Sequence, residues 1–417
     1  MRGERKISKN IVYLGTVQGA NYIVPLLIIP ILLNRIGLDN YGMVALAQGI
    51  MNIFIAFVDF GFNITGTRLI SQSQNVRERS LIVSKIYCAK LVLIIVGFLI
   101  LVVSTSFIPQ WKENSILIIT SYGIVVGQGL FPTWYFLGIE KTGLLALLNL
   151  LSRILYLIGI LLLVHSVDQV LLVNISSGVA WISVSTIGII IIYRDLGYTS
   201  VRGGFGVLST IQFARSNFSI FLSNFLNTGF RTSGIILAGF FLNTVGLGIY
   251  SILDKVLMLI VNAYIVVFSG VFPQVCSLAK RGKKEVIQFF RIFIPRISIL
   301  VIFGIAVLLI FGAPILQYLS PEMASFRIEK MVYVIALFAG LMLLNLPITL
   351  TLTSFDLKKG YFIYNLTAIL AMIILGSFLG KFYGIFGLLF SAALTELIIF
   401  CAGIVIINSL KFNFSRT

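Results

Sequence analysis

NTVGLGIYSILDKVLML, residues 243–259, opens as a turn and runs into an apolar helix that carries Asp254 and Lys255 side by side. A charge at the centre of a bilayer costs about 2.5–3.5 kcal/mol on insertion scales, so it turns towards protein or water and away from lipid. Whether that applies here depends on the rest of the chain. Of its 417 residues, 59% are hydrophobic and only 11% are charged. A soluble domain of this length has no interior large enough for so much apolar surface, whereas membrane helices bury theirs against lipid as well as protein. The class is therefore an all-α integral membrane protein.

Apolar runs of about 20 residues, enough to cross about 30 Å of hydrocarbon, separate at loop signals into twelve transmembrane helices. Their limits are 11–34, 42–66, 86–107, 115–138, 143–164, 169–193, 212–238, 245–270, 293–318, 331–354, 361–380 and 384–408. The N-terminal MRGERKISKN leads into a long span without a small-residue cleavage pattern, so the first helix is expected to stay. Cys88, Cys276 and Cys401 are far apart with no ligand spacing around them, and read as small buried packing residues.

The net charge of +17 does not indicate nucleic acid, because the basic residues fall in short loops. With a cytoplasmic N-terminus, 22 of the 31 lie in inner segments and five, Arg35, Lys112, Arg327, Lys330 and Lys381, in outer ones. The positive-inside rule then places both termini in the cytoplasm. Four bases remain inside the spans: Lys90, Arg153, Arg231 and Lys255. Lys90, near an inner helix end, is expected to snorkel to the surface.

NRIGLDNY at 34–41 and NTVGLGIY at 243–250 match at Asn, Gly, Leu and Tyr with an offset of 209 residues, about half the chain. EKTG at 140–143 and LKKG at 357–360 form a weaker echo at the inner turn after the fourth helix of each half. The pattern implies a duplication, with residues 1–203 and 204–417 as pseudo-symmetric six-helix bundles around a central cavity. An even number of spans per half gives a parallel repeat.

Arg231, Asp254 and Lys255 share one depth band, about 10–15 Å below the outer surface at 1.5 Å per residue. Arg153 and Glu396 fall near the midplane, with Asp59 lower. Asn217, Asn224, Asn227, Thr228 and Arg231 gather on one face of the seventh helix, and Gln18, Asn21 and Pro25 on one face of the first. Such amides also glue membrane helices together, and Arg231 with Asp254 also reads as a structural ion pair; both readings stand at this stage. Under the 209-residue offset Arg231, Asp254 and Lys255 map onto Tyr22, Ala45 and Leu46, so the scaffold does not require charge there. Three bases at mid-depth exceed the carboxylates near them, and an anionic substrate matches the surplus. Guanidinium presents a planar fork to phosphate oxygens, and ammonium acts as a point charge. The expected substrate-binding set is Arg153, Arg231, Lys255, Gln18, Asn21, Asn224 and Asn227. Asp254, Glu396 and Asp59 are the expected ion-coupling carboxylates. Glycines and prolines within helices, among them Pro25, Pro30, Gly127, Gly129, Pro132 and Pro347, read as hinges or packing kinks.

Three stretches also carry a family likeness: NIVYLGTVQGANYIVP at 10–25, DFGFNITGTRLIS at 59–71 and FPTWYFLGIEK at 131–141. In order and placement they resemble the bacterial polysaccharide transporters of O-antigen flippase (Wzx) type, in the group that includes lipid II flippases and multidrug extruders. The resemblance implies a non-enzymatic protein of the bacterial inner membrane without cofactor or metal. It implies movement of an undecaprenyl-diphosphate-linked oligosaccharide from the cytoplasmic to the periplasmic leaflet by alternating access, coupled to H+ or Na+. Membrane lipid and other polysaccharide-assembly proteins are the implied partners. The motif residues Asp59, Gly61, Phe62, Pro132, Trp134, Gly138 and Glu140 read as architectural. The rival readings are a multidrug or cation antiporter on the same fold, which prefers an acidic cavity, and a membrane glycan polymerase. The polymerase needs an outer domain larger than these loops of about a dozen residues, and His165, the only histidine, reads as a plain interfacial residue.

Overall fold

The computed structural model describes the backbone of residues 2–197, 207–319 and 326–409, and side chains over 27–197, 218, 220–318 and 326–409. Among these residues the protein is helical throughout. The helices are α1 (Arg2–Asp59), α2 (Phe62–Gln72), α3 (Val76–Phe107), α4 (Pro109–Lys112), α5 (Ser115–Thr120), α6 (Tyr122–Leu130), α7 (Thr133–Gly138), α8 (Thr142–Leu163), α9 (Val170–Leu196), α10 (Val207–Phe241), α11 (Thr244–Ala279), α12 (Lys283–Leu319), α13 (Ile328–Ser354) and α14 (Lys358–Ser409). A 3-10 turn, Val167–Gln169, precedes α9.

Nine stretches among the described residues are long and apolar enough to cross a membrane. Two of them, Leu27–Gln72 and Lys358–Ser409, hold 46 and 52 residues. At 1.5 Å per residue these would measure about 70 Å or more, over twice the hydrocarbon thickness. Each is broken at a glycine in a conformation L side chains avoid: Gly37 (φ 78, ψ 168) in α1 and Gly384 (φ 58, ψ −133) in α14. Both breaks fall where the sequence reading places turns.

Several helices outrun the limits read from hydropathy. The third was expected from 86 and begins at Val76, because Asn75 accepts the Glu78 backbone N–H at 2.8 Å while the Glu78 carboxylate accepts that of Gln74 at 3.0 Å. Hydropathy marks the lipid-buried part of a helix, and a good cap carries the backbone ten residues further. The second and fourth expected helices, 42–66 and 115–138, are both interrupted. Phe60 (φ 46) and Gly61 (φ 78) separate α1 from α2, and Phe131–Pro132 separates α6 from α7.

The chain forms two compact units, Met1–Thr228 and Gly229–Thr417. The expected boundary at 203/204 lies outside the described residues. In the first unit α6 and α9 approach through small residues, as lipid-embedded helices do when packing must replace the hydrophobic effect. A Cβ on Gly127 would stand 2.5 Å from Trp181 Cβ, and one on Gly178 would stand 3.0 Å from the Gly123 backbone. Ser185 Oγ then donates to Gly127 O at 2.6 Å. The FPTWYFLG stretch fills the floor of this unit, with Trp134, Tyr135 and Phe136 fully buried. Gly66 admits Ile86 and Trp134, and Gly138 admits Ile70. Phe60, at the α1–α2 break, stacks on Phe221 of α10 with centroids 4.2 Å apart. These residues pack the interior of the first unit.

In the second unit, Val275, Val286, Leu346 and Leu350 form one core and Ile348, Leu352, Tyr364, Ala368, Ile399 and Ile406 another. The cysteines are free; Cys88 and Cys276 are half-buried and Cys401 is exposed, so none is the buried packing residue expected.

Gly127→Val forces a side chain into Trp181, and overpacking of this kind costs about 1–3 kcal/mol. The thermal midpoint in detergent should fall clearly for this variant and stay put for Gly270→Ala, where a Cβ meets nothing within 4 Å.

Candidate functional site

The first unit holds six of the sequence candidates: Gln18, Asn21, Asp59, Arg153, Asn224 and Asn227. Arg153, on α8, places its guanidinium over the Trp181 ring at 5.7 Å. Its Nε is buried without a hydrogen-bond partner among the described residues, and no carboxylate among them pairs with it. An aromatic face offsets part of the charge, worth about 2 kcal/mol when desolvated, without occupying the edge of the guanidinium. Tyr156, one turn along α8, lies beside Arg153 and faces Gln48. Gln48 Nε2 donates to Asn174 Oδ1 at 2.9 Å, and Asn174 Nδ2 donates to Ser121 Oγ at 2.8 Å. A polar line therefore crosses α8, α1 and α9 to the turn between α5 and α6.

Asp59 and Lys90 form a separate pair. Lys90 is only 1% exposed, donates to Gly129 O at 2.8 Å, and lies 3.8 Å from Asp59 Oδ1. The expected snorkelling is thus corrected: because α3 starts at Val76, Lys90 sits about 21 Å along the helix and points inward. Asp59 lies against the backbone N–H groups of Gly61 and Asn63, where α2 begins. Its Oδ1 is buried without a hydrogen bond, as are Asn63 Oδ1, Ser84 Oγ, Tyr87 OH and Trp134 Nε1.

Asn224 and Asn227 lie half-buried on the part of α10 that belongs to the first unit. Gln18 and Asn21 belong to α1, but their side chains lie outside the described residues.

The second unit brings Arg231 and Glu396 together. Glu396, on α14, is 4% exposed; its Oε2 accepts from Asn345 Nδ2 at 2.7 Å, and its backbone O accepts from the same amide at 2.9 Å. Tyr364 donates its hydroxyl to Asn345 Oδ1 at 2.9 Å. Thr349 Oγ1, one turn along α13, approaches Tyr264 OH at 2.5 Å. Arg231 stands within electrostatic reach of Glu396, Tyr264 and Tyr361. The cluster is layered: Asn345, Tyr364 and Glu396 are buried, while Arg231, Tyr264, Thr349 and Tyr361 are half-buried above them. Asp254 and Lys255 are half-buried neighbours on α11, and Asp254 faces Tyr250 as well as Lys255.

Asn345, Thr349, Tyr264 and Tyr364 were absent from the sequence reading, which followed ionisable residues and the amides of two helices. Asn345 and Thr349 stand four apart on α13, a polar pair that the same spacing rule would have found. Tyr264 and Tyr364 gave no signal, since tyrosines in apolar helices are common. His165 is exposed, its ring beside Leu162 O at the end of α8.

Residues 7–279 match the family of polysaccharide biosynthesis proteins. The chain belongs to that family. Over 278 residues it is 25% identical to a protein of Escherichia coli (strain K12) named "Putative O-antigen transporter". The match covers 65% of each chain, just under two thirds of the relative's length. Among solved structures, the fold is shared with one described as lipid II flippase MurJ in an inward closed conformation, with TM-score 0.70, 16% identity, and coverage of 95% of this chain and 87% of that one. It is shared too with an inward-facing multidrug resistance MATE family transporter of the MOP superfamily, with TM-score 0.60, 14% identity, and coverage of 94% and 100%. This family member is therefore a multi-pass membrane protein that shares the fold of these two solved structures. The matched stretch ends at the last residue of α11, so Asn345, Tyr364 and Glu396 lie beyond it.

Removing one partner of a buried ion pair costs about 3–5 kcal/mol, far more than replacing both. Lys90→Met should therefore lower the thermal midpoint much more than the double variant Lys90→Met, Asp59→Asn. An equal loss in both would show that the Gly129 hydrogen bond, and not the charge pair, matters.

Proposed function

We propose that the protein is a flippase that carries an undecaprenyl-diphosphate-linked oligosaccharide from the cytoplasmic to the periplasmic leaflet of the bacterial inner membrane by alternating access. In this reading twelve helices form two six-helix repeats, 1–203 and 204–417, with both termini cytoplasmic. Arg153, Arg231 and Lys255 are the bases that meet the diphosphate, and the amides Gln18, Asn21, Asn224 and Asn227 meet sugar hydroxyls. H+ or Na+ supplies the driving force, and other membrane proteins of polysaccharide assembly hand over and take up the lipid.

The observation that carries this reading is Arg153, held over an indole with no carboxylate beside it among the described residues. A guanidinium kept in that way retains its charge for an anion. The family, the O-antigen name of the relative and the fold shared with a lipid II flippase all support it. A cation extruder needs uncommitted carboxylates, whereas Asp59 lies beside Lys90 and Glu396 faces Arg231.

The test is transport of a fluorescent lipid diphosphate oligosaccharide in proteoliposomes, read by its accessibility to an external reagent. Arg231→Ala with Lys255→Ala should slow translocation at least about tenfold, equivalent to about 1.4 kcal/mol, when compared with the native protein at equal amounts of folded, reconstituted chain. Unchanged transport in that variant overturns the role of these bases.

A further inference from the structure

The Glu396 cluster raises a chemical conflict that the flippase reading alone leaves standing. Tyr364 donates its hydroxyl to Asn345 Oδ1, which turns the NH2 group of the amide towards Glu396, with Leu341 O a longer acceptor at 3.4 Å. Both the carboxylate Oε2 and the backbone O of Glu396 accept from it. A proton on Glu396 must then sit on the other carboxylate oxygen, Oε1. The charged and titratable groups facing Glu396 among the described residues are Arg231 from α10, Tyr264 from α11, and Tyr364 from α14 itself. From α13 comes the neutral Asn345, held by Thr349 Oγ1, which donates to Asn345 O at 3.1 Å. Arg231 is thus the one cation in this set, and it faces an anion at 4% exposure.

We propose that Glu396 is a built-in counter-anion for Arg231, which takes up a proton when a diphosphate occupies that guanidinium. Each anion bound in this unit therefore brings one proton with it. This rests on the flippase reading and adds to it the protonation chemistry of the binding step, separate from the ion that supplies the driving force. Two anions on one half-buried guanidinium repel each other, and the like charge disfavours ionisation of the carboxylate. Linkage makes the effect reciprocal: the diphosphate promotes protonation of Glu396, and protonation strengthens diphosphate binding. Tyr364, Asn345 and Thr349 act as positioning residues, because they hold the carboxylate in place whether or not it carries charge.

The sign follows from that competition. At low pH Glu396 is already neutral, so binding is tight and takes up no proton. As pH rises through its titration, Glu396 ionises in the free protein, each bound anion must draw a proton from solution, and affinity falls, by at most about tenfold per pH unit for a single site.

The experiment is calorimetric titration of the detergent-purified full chain with farnesyl-diphospho-N-acetylglucosamine. Its diphosphate is esterified at both ends and so lacks the second ionisation near pH 6 of a phosphate monoester. Titrations in buffers of different ionisation enthalpy report the protons taken up per ligand. The native protein should take up a fraction rising towards one, with affinity weakening as pH rises. Glu396→Gln should take up none and bind at every pH as tightly as the native protein does at low pH. Tyr364→Phe, which keeps the carboxylate but releases Asn345, should shift the pH at which uptake appears and leave its maximum near one. No proton uptake by the native protein at any pH, or the same pH dependence in Glu396→Gln, overturns the inference while diphosphate binding itself stands. Absence of binding by the native protein at every pH removes the flippase reading, and this inference with it.

Discussion

Hydrocarbon offers a backbone carbonyl no donor, and that constraint decides where much of the buried charge in this protein goes. The Pro132 break between α6 and α7 turns Thr133 N towards Phe131 O and leaves Gly129 O to be satisfied from elsewhere; Lys90 supplies the donor from α3. At the C-terminus of α8, Arg35 Nη1 donates to the carbonyls of Ile160, Leu161 and Val164 at 2.9, 3.3 and 2.6 Å. Arg35 stands two residues before the Gly37 break, so the same guanidinium that caps α8 ties down the point where α1 changes direction. Asp59 does the complementary job at the start of α2, lying against the N–H groups that the Phe60–Gly61 break exposes. Three charges that a sequence reader meets as liabilities are the means by which broken helices are tolerated.

Arg153 and Arg231 stand outside that logic. Neither finishes a helix end in any contact described above, and the two are kept by different chemistry. Arg153 rests on the face of Trp181, which lowers the cost of burial without an opposing charge. Arg231 faces Glu396, whose own charge is held by Asn345. Hydrogen bonds between membrane helices average only about 0.6 kcal/mol in stability, so the Tyr364–Asn345–Glu396 chain is a weak fastener. Its value lies in fixing where one carboxylate sits.

The fold was legible where the signal was either apolar length or a turn residue. The breaks at Gly37 and Gly384 fall at expected turns, and the charged segment 248–259 does lie within one helix. The breaks at Phe60–Gly61 and Phe131–Pro132 were not legible as breaks, because hydropathy runs on unbroken through both and only the backbone dihedrals interrupt it. Lys90 was misread for a related reason: the cap that starts α3 is polar and invisible to an apolar scan, so the depth of everything after it was counted from the wrong place. At the site, ionisable residues stood out against the apolar background, but their neutral partners did not. Asn345 and Tyr364 acquire meaning only when α13 and α14 are brought together.

The 209-residue offset expected from the sequence sets positions of the second unit beside positions of the first. Under the 209-residue offset Asp254 and Lys255 correspond to Ala45 and Leu46, which are 7% and 4% exposed in the apolar core of the first unit. The same helical position therefore packs without any charge. Turn geometry behaves likewise. In the first copy of the NxxGLxxY signal, Gly37 itself breaks the helix, while in the second Asn243 caps α11 by accepting from Gly246 N at 2.8 Å, leaving the glycine inside it. Two local solutions serve one topology, so identity at these positions is set by the turn and not by the site. Lys90 and Arg35 meet backbone carbonyls of other helices, whereas Asp254 faces Lys255 and Tyr250 on its own helix.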